Sequence, residues 1–261
     1  LAGQGLGEIT ALTCAGAIEF EDAVKLVKQR GRFMQEAVTE RKCVMAAVIG
    51  LEYDIVEQVC HMNTDDNSLV TVSNYNAVDR LVISGDKGAV ERAGEYLKSL
   101  GATVVHLHVS APFHSPYMAA AAEKFEQELK KYKYHELKYP VLSNLNGLPY
   151  ASAQDIIQNL KAQITNQVQW KDSMEYLWKQ GVGIAIECGP RTVITGLIKK
   201  YSPSVESYAL DQPEDLSYMK QNFQKKAMDR ERKMKVLTRS MAIAVCTRNQ
   251  NFDISEYQKG A

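Results

Sequence analysis

Hydrophobic and polar residues follow two different spacings along the chain, and each spacing predicts one kind of element. Apolar residues that recur every three or four positions predict helices that bury one face, whereas short apolar runs between turn residues predict buried strands. The predicted helices cover 10–38, 54–62, 87–100, 118–132, 153–163, 170–180, 192–201 and 216–245, and a polar tail follows the last one. The predicted strands cover 43–49, 69–73, 80–84, 103–108, 141–144 and 183–187.

The order of these elements predicts two structural units. Residues 42–108 carry the order β-α-β-β-α-β, which is typical of a ferredoxin-like module, and we expect this module to be a small inserted subdomain. Residues 1–41 and 109–261 alternate strands with helices, which indicates a three-layer, hydrolase-like α/β core around a parallel sheet. The expected fold class is therefore α/β with an inserted ferredoxin-like subdomain.

The chain opens with glycines at alternate positions, Gly3, Gly5 and Gly7, and helix-forming residues follow them at once. This spacing predicts a strand that turns sharply into a helix, as in the nucleophile elbow G-x-S-x-G; the alternative is an ordinary glycine-rich turn. The elbow carries a serine at its centre, but this sequence has Gly5 there, and glycine has no side chain that attacks a substrate. Because only residues 1–3 precede the turn, we expect an N-terminal portion of the fold to be missing.

Composition excludes several classes of function. Of the 261 residues, 45% are hydrophobic, which is enough for a large core, and 31 basic residues balance 31 acidic ones. A balanced charge argues against a nucleic acid or an anionic membrane as the general partner. No apolar run reaches the roughly 20 residues that a membrane span needs, and no signal peptide opens the sequence.

The basic residues Arg230, Arg232, Lys233 and Lys235 indicate a solvated helix face or a surface for acidic partners.

The five cysteines are odd in number and widely spaced. They include no C-x-x-C pair, so they indicate reduced thiols in a cytosolic protein rather than a disulfide framework or a zinc site. No other metal-ligand cluster is present in the sequence, and we expect neither a metal nor a cofactor. Cys14 and Cys188 are nucleophile candidates in principle, although Cys14 lies about 13 Å beyond Gly5 along a helix that rises ~1.5 Å per residue. Packed thiols are the simpler interpretation of both.

An arginine and a histidine are the candidates for acid–base and anion chemistry. Arg30 falls in the apolar stripe of the first predicted helix, where a charge is costly unless it meets an anion. It snorkels to the surface, pairs with an internal carboxylate or binds an anionic substrate. His114 lies in a loop between two prolines, where it could act as a general base or as a cap for the next helix. His106 and His108 alternate in a predicted strand and are expected to be structural or exposed.

Four segments together resemble the malonyl-CoA:acyl carrier protein transacylases. They are G-Q-G-L-G-E at 3–8, Q-R-G-R-F-M-Q at 29–35, P-F-H-S-P at 112–116 and E-C-G-P at 187–190. The likeness runs through almost the whole chain in the family's order. Residues 241–251 also look like the tail of stand-alone acyltransferases that serve polyketide synthase modules lacking their own.

The resemblance implies a reaction and a set of site residues. In the family, the elbow serine takes the malonyl group from malonyl-CoA and passes it to the phosphopantetheine thiol of an acyl carrier protein. The loaded carrier protein then serves polyketide synthase modules or fatty acid synthesis. His114 matches the histidine that helps the serine, and Gln163 matches the residue whose backbone carbonyl orients that histidine. Arg30 matches the arginine that pairs with the malonyl carboxylate, and Gln4 is placed with it at the substrate. Leu6 would supply an oxyanion amide.

Two departures from the family pattern leave alternatives open. Gly5 stands at the serine position, so acyl-enzyme formation should be lost. The N-terminal turn that supplies a second oxyanion amide is also missing, and the loss of one oxyanion donor typically lowers the rate ~10²-fold or more. One alternative is an acyl hydrolase that clears stalled carrier proteins, but such an enzyme has no use for a buried Arg30. Another is a non-catalytic homologue that binds a carrier protein, but it has no physical need for His114 or Arg30. Activation of water by His114 beside Gly5 is a further alternative.

Overall fold

The computed structural model describes residues 1–38, 42–109, 111–233 and 242–246. The helices are α1 (Leu6–Cys14), α2 (Phe20–Glu36), α3 (Tyr53–Met62), α4 (Lys87–Ser99), α5 (Ala119–Leu129), α6 (Ile156–Gln163), α7 (Trp170–Lys179), α8 (Val193–Tyr201) and α9 (Pro213–Lys233). The strands are β1 (Ala2–Gly3), β2 (Cys43–Ile49), β3 (Val70–Ala77), β4 (Arg80–Asp86), β5 (Thr103–Leu107), β6 (Ile184–Cys188), β7 (Glu206–Leu210) and β8 (Ala242–Cys246). Short 3-10 turns at Pro116–Met118 and Ala153–Asp155 lead into α5 and α6.

The ferredoxin-like module forms an antiparallel sheet with the strand order β3-β4-β2-β5. Its elements follow the predicted order, with α3 after β2 and α4 after β4. Its strands and helices share one apolar core, in which Val48, Val56, Leu81 and Leu97 are fully buried. Strand β2 is buried from Met45 to Ile49 and β4 from Arg80 to Gly85, which agrees with the short apolar runs that predicted them.

A parallel sheet with the order β1-β8-β6-β7 forms the centre of the larger unit. Helices α1, α2, α5 and α6 share one apolar cluster, which includes Leu12, Leu26, Phe125 and Leu160. Helices α7 and α8 contribute to a second cluster, around Trp170. The predicted α/β fold class is confirmed. The division into 1–41 with 109–261 and 42–108 as separate domains stays a prediction.

The prediction for the end of the chain was wrong. Residues 216–245 were expected to form one helix, but α9 begins at Pro213, and Ala242–Cys246 forms β8, which lies between β1 and β6. Its sequence, A-I-A-V-C, is a short apolar run, and such a run suits a strand buried in a parallel sheet as well as it suits a helix. Strand β7 was missed because all five of its residues are only half-buried, which weakens the apolar signal.

Turns explain two further differences between the predicted and the observed elements. The helical stretch 10–38 is two helices, since Gly16 adopts a left-handed φ of 77° and ends the first one. Residues 141–144 do not form a regular strand; Leu142 makes a single bridge to Pro149, and the segment reverses at Gly147, whose φ is 68°. Within the described ranges, no helix combines the length and the apolar character needed to cross a lipid bilayer.

Candidate active site

The opening glycines form a sharp turn between β1 and α1. Gly5 has a φ of 58° and a ψ of −114°, a conformation that residues with a side chain adopt only with strain. Gly3 packs so closely that a Cβ there would lie 1.9 Å from the carbonyl oxygen of Gly7. A strand that turns this tightly into a helix presents the residue at the turn to a substrate. The predicted elbow is therefore present, with Gly5 at its apex.

His114 faces this apex. It lies between β5 and α5, is buried, and has a left-handed φ of 56°. Its Nδ1 is 2.7 Å from the carbonyl oxygen of Gln163, and because a carbonyl only accepts, Nδ1 carries the proton and Nε2 has a free lone pair. Nε2 is 3.5 Å from the point where a Cβ on Gly5 would lie.

The protonation state of His114 follows from its surroundings. Burial, and to a smaller extent the positive charge of Arg30, lowers the pKa of the imidazole from its ordinary value of 6.5 to about 4. The hydrogen bond to Gln163 opposes part of that change. The imidazole is therefore neutral at pH 7, which is the form that accepts a proton.

Arg30 is buried on α2 and points toward the same residues. Its Nη2 donates to the side-chain oxygen of Gln163 over 3.0 Å, whereas its Nε finds no partner among the described residues. Burial lowers the pKa of the guanidinium to about 10, and the nearby carboxyl of Glu8 acts in the opposite direction. Arg30 therefore keeps its charge at neutral pH and has a donor available for an anion.

Gln163 connects all of these groups. Its carbonyl oxygen accepts from His114 and its side-chain oxygen accepts from Arg30. Its Nε2 donates to the carbonyl oxygen of Gly5 over 2.9 Å and also to the carboxylate of Glu8. One residue at the end of α6 thus contacts His114, Arg30 and the elbow and fixes them relative to one another.

Glu8 is a buried acid that the sequence analysis did not single out. Its side chain is fully buried; one oxygen accepts from the hydroxyl of Tyr150 over 2.6 Å, and the other from the backbone amide of Asn144 over 3.2 Å. Burial raises the pKa of this carboxyl from 4.5 to about 7, although the hydrogen bonds from Tyr150 and Gln163 oppose the rise. The sequence signal was a lone carboxylate in α1, which is otherwise uncharged.

Asn144 holds the elbow from the opposite side and was also missed as a site residue. Its Oδ1 accepts from the amide of Gly5 over 2.7 Å, and its Nδ2 donates to the carbonyl of Gly3 over 2.8 Å. Both bonds are buried, so Asn144 satisfies backbone groups that the sharp turn leaves without partners in the sheet or the helix. The polar loop after Leu142 was the only sequence signal for it.

The remaining predicted residues have different surroundings. Leu6 begins α1, and its amide donates to no group in the described part of the chain, as is usual for the first N–H groups of a helix. Gln4 donates from Nε2 to Oδ1 of Asn76 on β3 over 2.5 Å, so it links the elbow to the ferredoxin-like module. Its predicted contact with substrate, and the oxyanion role of Leu6, stay predictions.

The alternative nucleophiles and the other histidines lie in less suitable places. Cys14 is exposed at the end of α1, and Cys188 is half-buried, where burial raises the pKa of its thiol and disfavours the reactive thiolate. His106 and His108 are exposed. Across the described residues, no group of three or more potential ligands is arranged to hold a metal ion.

Comparison with known proteins gives a consistent picture. A family model described as acyl transferase domain matches residues 1–238. The chain is 35% identical to the malonyl CoA-acyl carrier protein transacylase of Bacillus subtilis over 98% of its own length and 64% of that protein. It is 41% identical to the protein of the same name from Escherichia coli K12, over 82% of this chain and 69% of that protein. The chain thus spans about two thirds of the length of these relatives.

Solved structures agree with the sequence relatives. A malonyl-CoA:acyl carrier protein transacylase from Xanthomonas oryzae pv. oryzae superposes with a TM-score of 0.81 at 36% identity, over 84% of this chain and 70% of that one. A malonyl-transacylase in complex with a type II PKS acyl-carrier protein superposes with a TM-score of 0.79 at 37% identity, over 82% of this chain and 70% of that one.

Proposed function

The chain belongs to the acyl transferase family, and from that premise we propose that its buried site recognises malonyl-CoA as a malonyl-CoA:acyl carrier protein transacylase does. The observation that carries the proposal is Arg30, a buried cation with an unused donor close to His114. A carboxylate is the anion that a guanidinium binds with two parallel hydrogen bonds. The malonyl group ends in a carboxylate, whereas an acetyl group does not.

The roles proposed for the other residues follow from their positions. With a serine at position 5, the hydroxyl oxygen would lie within reach of Nε2 of His114, which would take its proton as the hydroxyl attacks the thioester. The amide of Leu6 would donate to the oxyanion. The backbone carbonyl of Gln163 holds the imidazole in the required orientation. Gly5 removes the attacking group from this arrangement, so we propose that the chain with Gly5 binds malonyl-CoA without forming an acyl-enzyme.

An acyl carrier protein is the proposed acceptor. Support comes from the names of the relatives and from the solved complex between a type II PKS acyl-carrier protein and its malonyl-transacylase. The finer proposal is a stand-alone acyltransferase that serves polyketide synthase modules, with fatty acid synthesis as the other pathway. It rests on the likeness of residues 241–251, of which only 242–246 lie in the described part.

The test combines binding with covalent loading. Titration calorimetry measures the affinity of the chain for malonyl-CoA, with Arg30→Ala as the matched variant; we expect the loss of the guanidinium to weaken binding by at least about tenfold, since hydrogen bonds to charged groups contribute about 1.5–3 kcal/mol. Intact mass spectrometry then follows Gly5→Ser and the unchanged chain after brief exposure to malonyl-CoA. A malonyl adduct on Gly5→Ser alone supports the transacylase.

Three results would contradict the transacylase proposal. If the chain and Arg30→Ala bind malonyl-CoA with equal affinity, the buried guanidinium does not bind the malonyl carboxylate. Loading of Gly5→Ser from acetyl-CoA or longer acyl thioesters, but not from malonyl-CoA, would favour the hydrolase that clears carrier proteins. Binding of an acyl carrier protein in the absence of any binding of malonyl-CoA would favour the non-catalytic homologue.

A further inference from the structure

The space beside Gly5 borders on one functional group. A Cβ built on Gly5 would lie 3.5 Å from Nε2 of His114, and apart from the chain neighbours of Gly5 no other heavy atom of the described residues comes within 4 Å of that point. A serine hydroxyl and a water molecule both present a single oxygen that donates and accepts hydrogen bonds. The place of the absent hydroxyl is therefore open to a water molecule within reach of His114.

His114 has the orientation that a base for this water needs. Its Nδ1–H is held by the carbonyl of Gln163 at 2.7 Å, which turns the lone pair of Nε2 toward Gly5. The positive charge of Arg30 is one of the causes that lower the pKa of the imidazole. A malonyl carboxylate bound to Arg30 neutralises that charge, so a bound malonyl group makes His114 a stronger base.

Two more groups belong to the proposed site. Arg30 receives the carboxylate at one end of the malonyl group, as proposed above. The amide of Leu6 follows Gly5 directly and donates to no group in the described ranges, so it is available to a developing oxyanion. Together with His114, these residues provide a carboxylate binder, a base and one oxyanion donor, and the attacking oxygen comes from solvent.

We propose that the chain with Gly5 hydrolyses malonyl thioesters directly, with a water molecule at the position of the missing serine hydroxyl. This proposal rests on malonyl-CoA binding as proposed above. The water oxygen forms a bond to the thioester carbonyl carbon while its proton moves to Nε2 of His114, and the amide of Leu6 donates to the oxyanion. The carbon–sulfur bond then breaks, and the imidazolium returns the proton to the leaving thiolate. The products are malonate and free coenzyme A, and no acyl-enzyme forms.

The experiment follows the release of free thiol from malonyl-CoA by the purified full chain. Reaction in 18O-labelled water should place one labelled oxygen in malonate, and intact mass spectrometry should find no adduct on the protein. Acetyl-CoA should be hydrolysed at least about tenfold more slowly, because it cannot neutralise Arg30. His114→Ala should lower the rate about 10²-fold or more, the usual contribution of a positioned general base.

Two variants of the elbow and one control sharpen the test. Gly5→Ala puts a methyl group 3.5 Å from Nε2, where the water would lie, so turnover should fall as far as in His114→Ala. Gly5→Ser should instead form a malonyl adduct. His106→Ala changes an exposed histidine outside the site and should leave the rate unchanged. Circular dichroism and thermal melting establish that each variant is folded.

The outcomes separate the two proposals. If the chain binds malonyl-CoA but releases thiol no faster than His114→Ala does, the hydrolysis proposal is overturned and the binding proposal stands. Absence of any malonyl-CoA binding by the folded chain would overturn both. Thiol release that persists in Gly5→Ala would place the attacking water elsewhere and would also overturn the proposal.

Discussion

Arg30 donates to the side chain of Gln163 over 3.0 Å, while the backbone carbonyl of that glutamine holds His114 at 2.7 Å. The proposed carboxylate binder and the proposed base are therefore positioned by different atoms of one residue. Substitution of the Gln163 side chain affects Arg30 directly and leaves the carbonyl that holds His114 in place. The same side chain also donates to the carbonyl of Gly5 and to the carboxylate of Glu8, so its substitution affects the elbow as well as Arg30.

Gln163→Ala should weaken malonyl-CoA binding by about tenfold, because Arg30 loses the partner that orders it and a disordered guanidinium binds less well. Gln163→Glu should weaken binding more, since its carboxylate competes with the substrate for the same guanidinium. Titration calorimetry with malonyl-CoA measures both. Affinities equal to that of the unchanged chain in both variants would show that Gln163 does not position Arg30.

Glu8 and His114 should give opposite slopes to the dependence of stability on pH. The pKa of Glu8 rises from 4.5 to about 7 in the folded chain, so the folded state holds a proton that the unfolded state has lost, and stability falls as pH rises across that range. The pKa of His114 falls from 6.5 to about 4, so the unfolded state binds the extra proton, and stability rises with pH across that range. Where the ranges overlap, the two effects cancel.

Single variants should reveal each slope. In Glu8→Gln, only His114 still makes stability depend on pH. Where the two pH ranges overlap, the free energy of unfolding of this variant should therefore rise, relative to that of the unchanged chain, by about 1.4 kcal/mol per pH unit. His114→Asn leaves the contribution of Glu8, so its free energy should fall with pH by a similar amount. Urea unfolding at a series of pH values measures the differences. Parallel curves for all three proteins would contradict the shifted pKa values.

Gly3 and Gly31 should respond oppositely to alanine. A Cβ on Gly3 would lie 1.9 Å from the Gly7 carbonyl oxygen, so Gly3→Ala must displace α1 from β1 and should cost about 3 kcal/mol or more. A Cβ on Gly31, within α2, meets nothing within 4 Å, and Gly31→Ala should gain roughly 0.5–1 kcal/mol from helix propensity. Chemical denaturation measures both, and a tolerated Gly3→Ala would refute the tight elbow.

Arg191 should be a site of backbone strain. It is exposed and has a φ of 76°, a left-handed conformation that costs a residue with a Cβ about 1–2 kcal/mol. Arg191→Gly should therefore raise the free energy of unfolding by about 0.5–1 kcal/mol, even after the extra entropy of glycine in the unfolded chain. Thr192→Gly is the matched control at a φ of −130°, and it should be destabilising. Equal effects on the thermal midpoint would contradict the strain.

Much of the site could be predicted because its signals are local. The glycine spacing at 3, 5 and 7 predicts the elbow, since a tight strand-to-helix turn excludes side chains from both flanks. Arg30 was a candidate site residue because its charge lies in the apolar stripe of a predicted helix. His114 was a candidate because two prolines flank its loop. The role of Gln163 came from the family resemblance, and no pattern in its own neighbourhood indicated it.

Other features had no local signal. Strand β8 was predicted as helix because a five-residue apolar run fits both elements, and only its pairing with β1 and β6 distinguishes them. Glu8 and Tyr150 meet across 142 positions of sequence, and Asn144 reaches Gly3 across 141. Nothing in the neighbourhood of these residues indicates that they share one buried network.

The sequence by itself determined the elements of the ferredoxin-like module, the glycine elbow and the absence of a nucleophile at position 5, because each depends on residue type and spacing over a few positions. The tertiary structure decided which polar groups are buried together. It placed Glu8, Asn144 and Gln163 around the elbow, and it shifted the pKa values of Glu8 and His114. The physical reason is that desolvation and hydrogen-bond partnership depend on the surroundings in space, and these surroundings come from segments more than a hundred residues apart.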